Sequence, residues 1–332
     1  MTLYTWQLPD WPNYQFDEDT ARLWGEKLRS RTDQITGAMS VLSDDQGTEA
    51  QIELMVSAAI ETSAIEGEKL NREDVRCSIK NHFLKASERI PVHDPAASGI
   101  ASLILEVRDR YSKSLTEEEL HHWHQLVLPN KLGDGFLSKQ PAIGQWRTQA
   151  EPIQIVSGAI GKEVVHYEGP PSDRVPQEME RFLEWFNGDS QDLPGIARAA
   201  IAHLWFETIH PYEDGNGRIG RAIADKALSQ SLGVPFLLST ATTFSFFRKQ
   251  YYEKLNQASK NTLKVDAWVD WFSACAIKTQ SGVDPLWWTS DPLKTIGGQD
   301  ATKQTPISAG VPATDDRSGS QWAHPCGTGS GV

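Results

Sequence analysis

The chain has 332 residues, of which 39% are hydrophobic and 23% are charged, and its formal net charge is −12. This acidity argues against a general nucleic-acid-binding protein, whose phosphate contacts need clustered Lys and Arg. The three scattered cysteines fit neither a disulfide framework nor a zinc site with paired ligands. The N-terminus lacks a signal-peptide pattern, and there is no apolar run of about 18 residues. We therefore expect a cytoplasmic protein without a membrane span.

The N-terminal third of the chain predicts a strap followed by two helices. The Trp-rich segment up to about Pro12 is broken by prolines and predicts an extended strap packed on the body. A helix is predicted from Asp17, with Leu23, Leu28, Ile35 and Leu42 among its apolar positions, and the run at 43–47 predicts a break. The next helix, at about 48–65, follows from helical spacing and ends near Gly67. Its spaced positions are Ile52, Met55, Val56, Ala59, Ile60 and Ser63.

The rest of the chain predicts a mainly α fold with one β-hairpin. Further helices are predicted at roughly 71–87, 96–112, 116–128, 175–187, 195–209, 218–231, 245–258 and 263–277. Within 151–169, the β-branched runs IQIV and EVVHY flank a Gly-containing turn, which is typical of a hairpin. Beyond about Gly282 the composition predicts a disordered tail. The predicted domains are an extension at 1–47, a helical body at 48–280 and the tail at 281–332.

The segment HPYEDGNGRIGR, at 210–221, contains the most distinctive pattern of the chain. Its second half, GNGRIG, fits the G-x-G-x-x-G spacing of a dinucleotide-binding turn. That turn follows a buried strand, whereas GIARAAIAHLWFETI before this loop has helical spacing. The surroundings therefore argue against a dinucleotide site.

The residue types of this loop suit phosphate chemistry instead. The glycines at 215 and 217 allow backbone N–H groups to converge on an anion, and the following helix adds its positive end. Arg218 and Arg221 lie one helical turn apart and can both reach a polyphosphate. Asp214 is a suitable Mg²⁺ ligand, and His210 a suitable general base. The pattern thus favours in-line displacement on a nucleotide phosphate over a simple turn with a helix cap.

The same segment resembles the signature of the Fic family, H-P-F-x-D-G-N-G-R-x-x-R, and differs from it only at Tyr212. The resemblance implies an α-helical fold and an adenylyltransferase that moves AMP from ATP to a Ser, Thr or Tyr hydroxyl of a target protein. It implies His210 as base, Asp214 as ligand of Mg²⁺ and Arg221 on the γ-phosphate. The remaining loop residues that it places at the nucleotide are Gly215, Asn216, Gly217, Arg218, Ile219 and Gly220.

The resemblance extends over roughly residues 50–280. GQWRT, at 144–148, resembles the segment that leads into the family's flap, and the hairpin occupies the position of the flap itself. In such proteins the flap, here at 153–169, registers the target segment by strand addition. Its residues nearest the nucleotide are Val164, Val165, His166 and Tyr167. Downstream, Arg248, Tyr251 and Tyr252 match an R-x-x-Y-Y pattern that lines the base pocket, while an Asn of some members is here Ser259.

Glu66 is the candidate regulatory residue. It lies 14 residues after Ile52, near the apolar stripe of its helix, although it could also turn out to solvent at the helix end. The segment TSAIEG, at 62–67, fits the inhibitory motif S/T-x-x-x-E-G/N of the family. The resemblance implies that Glu66 pairs with Arg221 and that ATP then binds unproductively. We therefore expect an autoinhibited enzyme.

Several alternatives stay open at this stage. The transferred group could differ from AMP, the reaction could be removal of AMP, or the protein could sense ATP without turnover. The histidines in HHWH, at 121–124, are interpreted as surface residues of an amphipathic helix and not as metal ligands. The expected partners are ATP and an unidentified target protein. A homodimer is possible.

Overall fold

The computed structural model describes residues 3–129, 142–150, 152–157 and 164–280. The predicted tail at 281–332 and the turn of the hairpin lie outside the described residues. The described part is mainly α-helical with a single two-stranded sheet, as the sequence predicts. None of its helices is both long and apolar enough to span a bilayer.

The described elements comprise eleven α-helices and two β-strands. In chain order they are α1 (Glu18–Met39), α2 (Asp44–Ile65), α3 (Arg72–Phe83), α4 (Pro95–Asp109), α5 (Glu117–Val127), β1 (Gln154–Ser157), β2 (Val164–Glu168), α6 (Val175–Asn187), α7 (Gly195–Ile209), α8 (Asn216–Leu232), α9 (Thr240–Phe246), α10 (Arg248–Ala258) and α11 (Asp266–Gln280).

The predicted break at 43–47 is mostly helical. Ser43 is the N-cap of α2: its hydroxyl accepts the backbone N–H of Gln46, and the Gln46 side chain accepts the backbone N–H of Ser43. This reciprocal capping box starts a helix at Asp44, so the true break is only the few residues before it. Leu23 and Leu42, assigned to an apolar pattern, are exposed, whereas Leu28 is buried.

The helix predicted at 245–258 is two helices, α9 and α10. Ser239 caps α9 by accepting the backbone N–H of Ala241, and its hydroxyl donates to the buried carboxylate of Asp225. The helical region therefore starts at Thr240 and not at the predicted residue 245. Phe247 then separates α9 from α10.

The N-terminal strap packs on the body, as predicted. Trp11 is buried and its ring meets that of Trp205 at 5.8 Å between centroids. Isolated bridges join Tyr4 to Lys260 and Gln15 to Lys264, close to the start of α11. Because α1 also packs against α7 and α11, the extension shares the core of the helical body.

The helix α7 forms the centre of that core, since every residue from Ile196 to Ile209 is buried. It packs along α8, and only the loop at 210–215 separates the two helices. The helix α2 packs against α8 and α9. Its C-terminal end therefore comes to lie over that loop, and this arrangement builds the site.

The hairpin formed by β1 and β2 is antiparallel and irregular. Ile155 pairs with Tyr167 and Val156 pairs with Val165, so His166 is an extra residue in β2. Such a bulge increases local twist and redirects neighbouring side chains.

Candidate active site

His210 lies at the C-terminal end of α7 in a left-handed backbone conformation, with φ 50° and ψ 61°. A non-glycine residue holds this conformation only when its surroundings fix it. Arg147 of the GQWRT segment supplies that support. Its guanidinium donates to the carbonyls of His210 at 2.7 Å and Pro170 at 2.5 Å, and its backbone N–H donates to Pro211. Arg147 thus ties the base of the flap to the backbone of His210.

Tyr212 anchors the loop to the core of the protein. It is fully buried, its ring stacks on His124 at 3.9 Å, and its hydroxyl lies 3.1 Å from Nδ1 of His121. The hydroxyl that distinguishes this loop from the family signature therefore has a partner. The side-chain amide of Asn216 bonds to both the N–H and the carbonyl of Tyr212, so this amide closes the loop.

His124 corrects the interpretation of HHWH as surface histidines. It is completely buried, accepts the backbone N–H of Gly144 on Nδ1 at 2.9 Å, and lies 3.2 Å from the carbonyl of Asp214 through Nε2. Burial lowers the pKa of His124 to about 4, so the ring is neutral at neutral pH. His124 supports the loop through two contacts: the ring of Tyr212 stacks on it, and its Nε2 lies beside the carbonyl of Asp214.

The start of α8 presents backbone donors to the same place. Gly215 has φ +82°, and a Cβ there would lie 3.0 Å from Cγ2 of Val127, so this turn favours glycine. Its N–H donates to Oδ1 of Asp214 at 2.6 Å. Because the first N–H groups of a helix lack intrahelical acceptors, the start of α8 favours an anion.

The two arginines of the loop lie on the adjoining turn of α8 and are both buried. Arg221 donates from Nε to the hydroxyl of Thr62 at 2.8 Å, and from Nη2 to the Thr62 carbonyl and to Oε1 of Glu66 at 2.7 Å. Arg218 donates from Nη1 to Oε2 of Glu68 at 2.5 Å. Burial opposes the charge of Arg221, but Glu66 more than compensates and the pKa of Arg221 is raised. Each arginine is thus covered by a carboxylate from the end of α2.

Glu66 is less buried than its position near the apolar stripe of α2 predicts. The helix α2 ends at Ile65, and Glu66 is its C-cap, with a side chain that is 28% exposed. Gly67 turns the chain with φ +83°. The carboxylate lies over Gly217, where a Cβ would be only 2.1 Å from Oε1. Glycine at 217 therefore makes the approach of Glu66 to Arg221 possible.

A cavity of about 850 Å³ lies in front of the loop. This volume is in the range of small-molecule sites. The wall residues nearest the loop are Glu66, Glu207, His210 and Gly217. The helix α10 contributes Arg248, Tyr251, Tyr252 and Asn256, and its C-cap Ser259 also lines the cavity. We call the region of Arg218 and Arg221, with their partners Glu66 and Glu68, the arginine side. The part of the cavity wall around His210 and Glu207 is the histidine side.

The aromatic residues of α10 have different environments. Tyr251 is buried and its hydroxyl lies 2.9 Å from Nε2 of His203. Tyr252 is more exposed, and its hydroxyl lies 3.3 Å from the carbonyl of Ile65 and 3.5 Å from Oε2 of Glu66. Tyr252 therefore contacts the same segment that covers the arginines.

The flap borders the cavity through Tyr167 and Ile155. The Tyr167 side chain is buried and donates its hydroxyl to the carbonyl of Thr208 at 2.5 Å. Ile155 and Val165 are 39% and 42% exposed, respectively. Val164 and His166 lie in β2.

Three residues of this site, Glu68, Arg147 and Glu207, are not predicted individually from the sequence. Glu68 carries no motif signal, and Arg147 stands out only as part of GQWRT. Oε2 of Glu207 lies 3.7 Å from Nδ1 of His210. A carboxylate inside a mostly apolar helix is costly to bury, and this signal could have identified Glu207.

Two family models match the chain. One, described as the Fic/DOC family, matches residues 114–228. The other, described as a domain of unknown function (DUF4172), matches residues 4–84 and so extends across the domain boundary that we predict at residue 47.

Curated relatives and solved structures resemble the chain. Protein adenylyltransferase fic-1 of Caenorhabditis elegans is 25% identical over 210 residues, which are 61% of this chain and 36% of that protein. Protein adenylyltransferase Fic of Drosophila willistoni is 31% identical over 153 residues, which are 43% and 29%. The chain thus spans about a third of the length of these relatives. A Fic family protein from Desulfovibrio desulfuricans G20 has the same fold, with TM-score 0.59, 22% identity and coverage of 81% of this chain and 75% of that chain.

Proposed function

Residues 114–228 of this chain form a Fic/DOC domain, and from that premise we propose that the protein transfers AMP from ATP to a hydroxyl group of a target protein. The observation that carries the proposal is that His210 and Gly217 at the start of α8 line one cavity, while two arginines of α8 are buried beside them under Glu66 and Glu68. Two curated relatives that share this similarity are named protein adenylyltransferases.

In the proposed reaction the target hydroxyl oxygen attacks the α-phosphorus of ATP. His210 takes the hydroxyl proton, the bond from the α-phosphorus to the α–β bridging oxygen breaks, and pyrophosphate leaves. The backbone N–H groups at the start of α8, with Arg218, hold the α- and β-phosphates, and Arg221 holds the γ-phosphate. Such fixed donors favour the charge that develops during transfer.

Asp214 is suited to hold Mg²⁺ that arrives with the nucleotide. Its carboxylate lies beside the start of α8, where Oδ1 is oriented by the N–H of Gly215. Mg²⁺ in nucleotide sites takes one or two carboxylates together with phosphate oxygens, and a single Asp fits that pattern. When bound, the ion would neutralise phosphate charge.

The flap is the proposed docking site of the target. Its exposed Ile155 and Val165 lie on opposite strands of a two-stranded sheet next to the cavity. A target segment that adds as a further strand would be held by main-chain hydrogen bonds and brought past His210. The choice among Ser, Thr and Tyr then depends on the target.

The proposed enzyme is autoinhibited in this conformation. Arg221 cannot clamp a γ-phosphate while Thr62 and Glu66 occupy its Nε and Nη2 and its Nη1 is buried, and Arg218 is bonded to Glu68. A hydrogen bond to a charged group contributes roughly 1.5 to 3 kcal/mol, which corresponds to about a 10- to 100-fold change in an equilibrium. Release of α2's end is therefore the proposed activation step.

The test uses the full chain with Mg²⁺ and ATP labelled at its α-phosphate. We expect Glu66→Gly to increase self-labelling about 10- to 100-fold over the wild type, because it frees Arg221. The control Glu66→Gly/His210→Ala should lose this labelling. Intact mass spectrometry should show an added AMP.

Other outcomes identify the alternatives. Equal labelling of the wild type and Glu66→Gly contradicts autoinhibition. Nucleotide binding by Glu66→Gly without any adduct indicates an ATP-sensing protein. If ATP labelled at its γ-phosphate transfers label while ATP labelled at its α-phosphate does not, the protein transfers a phosphoryl group and not AMP.

A further inference from the structure

Glu207 and His210 form a buried pair that the proposed mechanism does not yet use. Oε2 of Glu207 lies 3.7 Å from Nδ1 of His210, and the Glu207 side chain is only 7% exposed. Among the described residues, Oε1 of Glu207 has no hydrogen-bond partner, and Nδ1 of His210 has none among the side chains. The ring of His210 interacts with the backbone of Glu207, which opposes the fall of its pKa. A modest rotation of either side chain would close a direct bond between them.

The packing of α7 on α8 leaves room for this carboxylate. Gly220 faces it: a Cβ at that position would lie 2.7 Å from Oε1 of Glu207 and 3.1 Å from Nδ1 of His203. Any larger residue at 220 would displace Glu207. Since α7 is otherwise mostly apolar, a Leu or Met at 207 would be the cheaper choice for stability alone.

Because His210 lines the cavity and its Nδ1 is buried, Nε2 is the ring nitrogen that can meet a target hydroxyl. A neutral imidazole carries one proton, and a hydrogen bond on one nitrogen decides where it resides. If Nδ1–H donates to a carboxylate, Nε2 keeps its lone pair. If Nδ1 instead accepts a hydrogen bond from a carboxylic acid, the ring proton stays on Nε2.

The charged and titratable groups around this pair come from several elements. Facing Glu207 are Glu66 at the end of α2, Arg221 on α8, Tyr251 on α10 and His203 one turn earlier on α7. Facing His210 are Arg147, Glu66 and Asp214. Burial, followed by the charge of Glu66, raises the pKa of Glu207 to about 8. Burial and then Arg147 lower the pKa of His210 to about 4.

Resting on the proposed function, we propose that Glu207 is the positioning residue of His210 and that Glu66 controls its charge. Ionised Glu207 accepts Nδ1–H, which leaves Nε2 free to take the proton of the target hydroxyl. The resulting imidazolium is then stabilised by the neighbouring carboxylate. Protonated Glu207 donates to Nδ1 and locks His210 in the tautomer that cannot act as a base through Nε2.

Glu66 therefore acts on both sides of the cavity. On the arginine side it occupies Arg221. On the histidine side, Glu66 and Glu207 line the same cavity, and the negative charge of Glu66 disfavours a second carboxylate there, so Glu207 keeps its proton. When Glu66 withdraws, Arg221 remains near Glu207 as a positive neighbour and favours its ionised form.

The first test measures the His210 tautomer without nucleotide, by ¹⁵N NMR of histidine-labelled full-length protein, with His210→Ala for assignment. In the wild type we expect the tautomer to change from Nε2–H to Nδ1–H through a transition near pH 8. In Glu66→Gly this transition should move to lower pH. In Glu207→Gln it should be absent. Glutamine matches the protonated carboxyl in size, and an unchanged melting temperature near pH 5 checks that the fold is kept.

A His210 spectrum that shows the same pH transition with Gln at 207 would overturn the proposal. Since no ATP is present, this result is independent of whether the protein transfers AMP. The second test is kinetic: kcat of Glu66→Gly/Glu207→Gln should be about 10- to 100-fold below that of Glu66→Gly, with KM for ATP within about 2-fold. An unchanged kcat contradicts the positioning role.

Discussion

The arginine side and the histidine side belong to one helix–loop–helix unit, yet their charged groups are bonded in different ways. Arg221 makes three hydrogen bonds to Thr62 and Glu66, and Arg218 is bonded to Glu68. The acceptors all come from α2 and the residues that follow it. On the histidine side, Glu207 and His210 lie 3.7 Å apart without a hydrogen bond between their side chains. Both sides keep buried polar atoms without a hydrogen-bond partner among the described residues: Nε of Arg218 and Nη1 of Arg221 on one, and Oε1 of Glu207 on the other.

This difference indicates how the two sides work. A buried polar atom without a partner costs about 1 to 3 kcal/mol, and such atoms occur on both sides. The bonds of the arginine side are made by a segment outside the loop and can be exchanged for phosphate oxygens. The arginine side is therefore closed by carboxylates of another segment, whereas on the histidine side Glu207 and His210 can still bond to each other.

The largest effect on the free energy of unfolding is expected from Glu207→Gln, which removes the ionisable carboxyl of the histidine side. In the folded protein the pKa of Glu207 is about 8, against 4.5 for the free carboxyl. Between these values the folded chain retains a proton that the unfolded chain has lost, so stability falls as the pH rises through this window. Glu207→Gln should remove the fall, and thus be more stable than the wild type by on the order of 3 kcal/mol at pH 9 but similar at pH 4.5.

Thermal or urea denaturation from pH 4.5 to 9 measures this difference. The matched control is Glu180→Gln, an exposed carboxylate on α6, which should follow the wild type at every pH. A constant offset between Glu207→Gln and the wild type would show that packing, and not ionisation, distinguishes the histidine side.

A medium effect is expected on the arginine side from Glu68→Gln. This change weakens the bond to Arg218, whose partner carboxylate is 40% exposed, so its contribution is reduced by solvent. We expect self-labelling to increase about 2- to 5-fold, less than with Glu66→Gly. Labelling assays in parallel with Glu73→Gln, an exposed residue of α3, provide the control. If Glu68→Gln matches the Glu73→Gln control, Arg218 does not limit the closed state.

The smallest effect is expected from Tyr252→Phe, which removes the hydroxyl near Ile65 and Glu66. Its contacts of 3.3 and 3.5 Å are long, and one neutral hydrogen bond contributes about 0.5 to 1.5 kcal/mol. Self-labelling should rise about 2-fold as the end of α2 loosens. Tyr111→Phe, which removes a hydroxyl bonded to Gly233, is the control. A fall in labelling would instead place the Tyr252 hydroxyl at the nucleotide.

The sequence predicted the elements of the site well, because these depend on neighbouring residues. Apolar spacing located α2 and α7, and the glycines and polar residues of 210–221 identified a loop followed by a helix. The β-branched runs located the two strands of the hairpin. Errors arose where capping decided the boundary, as at Ser43 and Ser239, since a local side-chain hydrogen bond outweighed the apolar pattern there.

The histidines of α5 show a different limit. Periodicity places His124 on one face of a helix but does not say what covers that face. The covering group is Tyr212, which lies 88 positions further along the chain and stacks on it. Burial of a polar ring was thus decided by packing between distant elements.

By itself, the sequence determined the helices, the hairpin and the loop that carries His210, Asp214, Arg218 and Arg221, because each of these follows from local spacing and backbone preference. Tertiary structure alone decided that Arg147 fixes the backbone of His210, that Glu68 covers Arg218, and that Glu207 lies against His210 opposite Gly220. Those contacts join residues on separately packed elements, or depend on the space left between two helices. Their distances are set by how the whole core closes, and no local pattern encodes that.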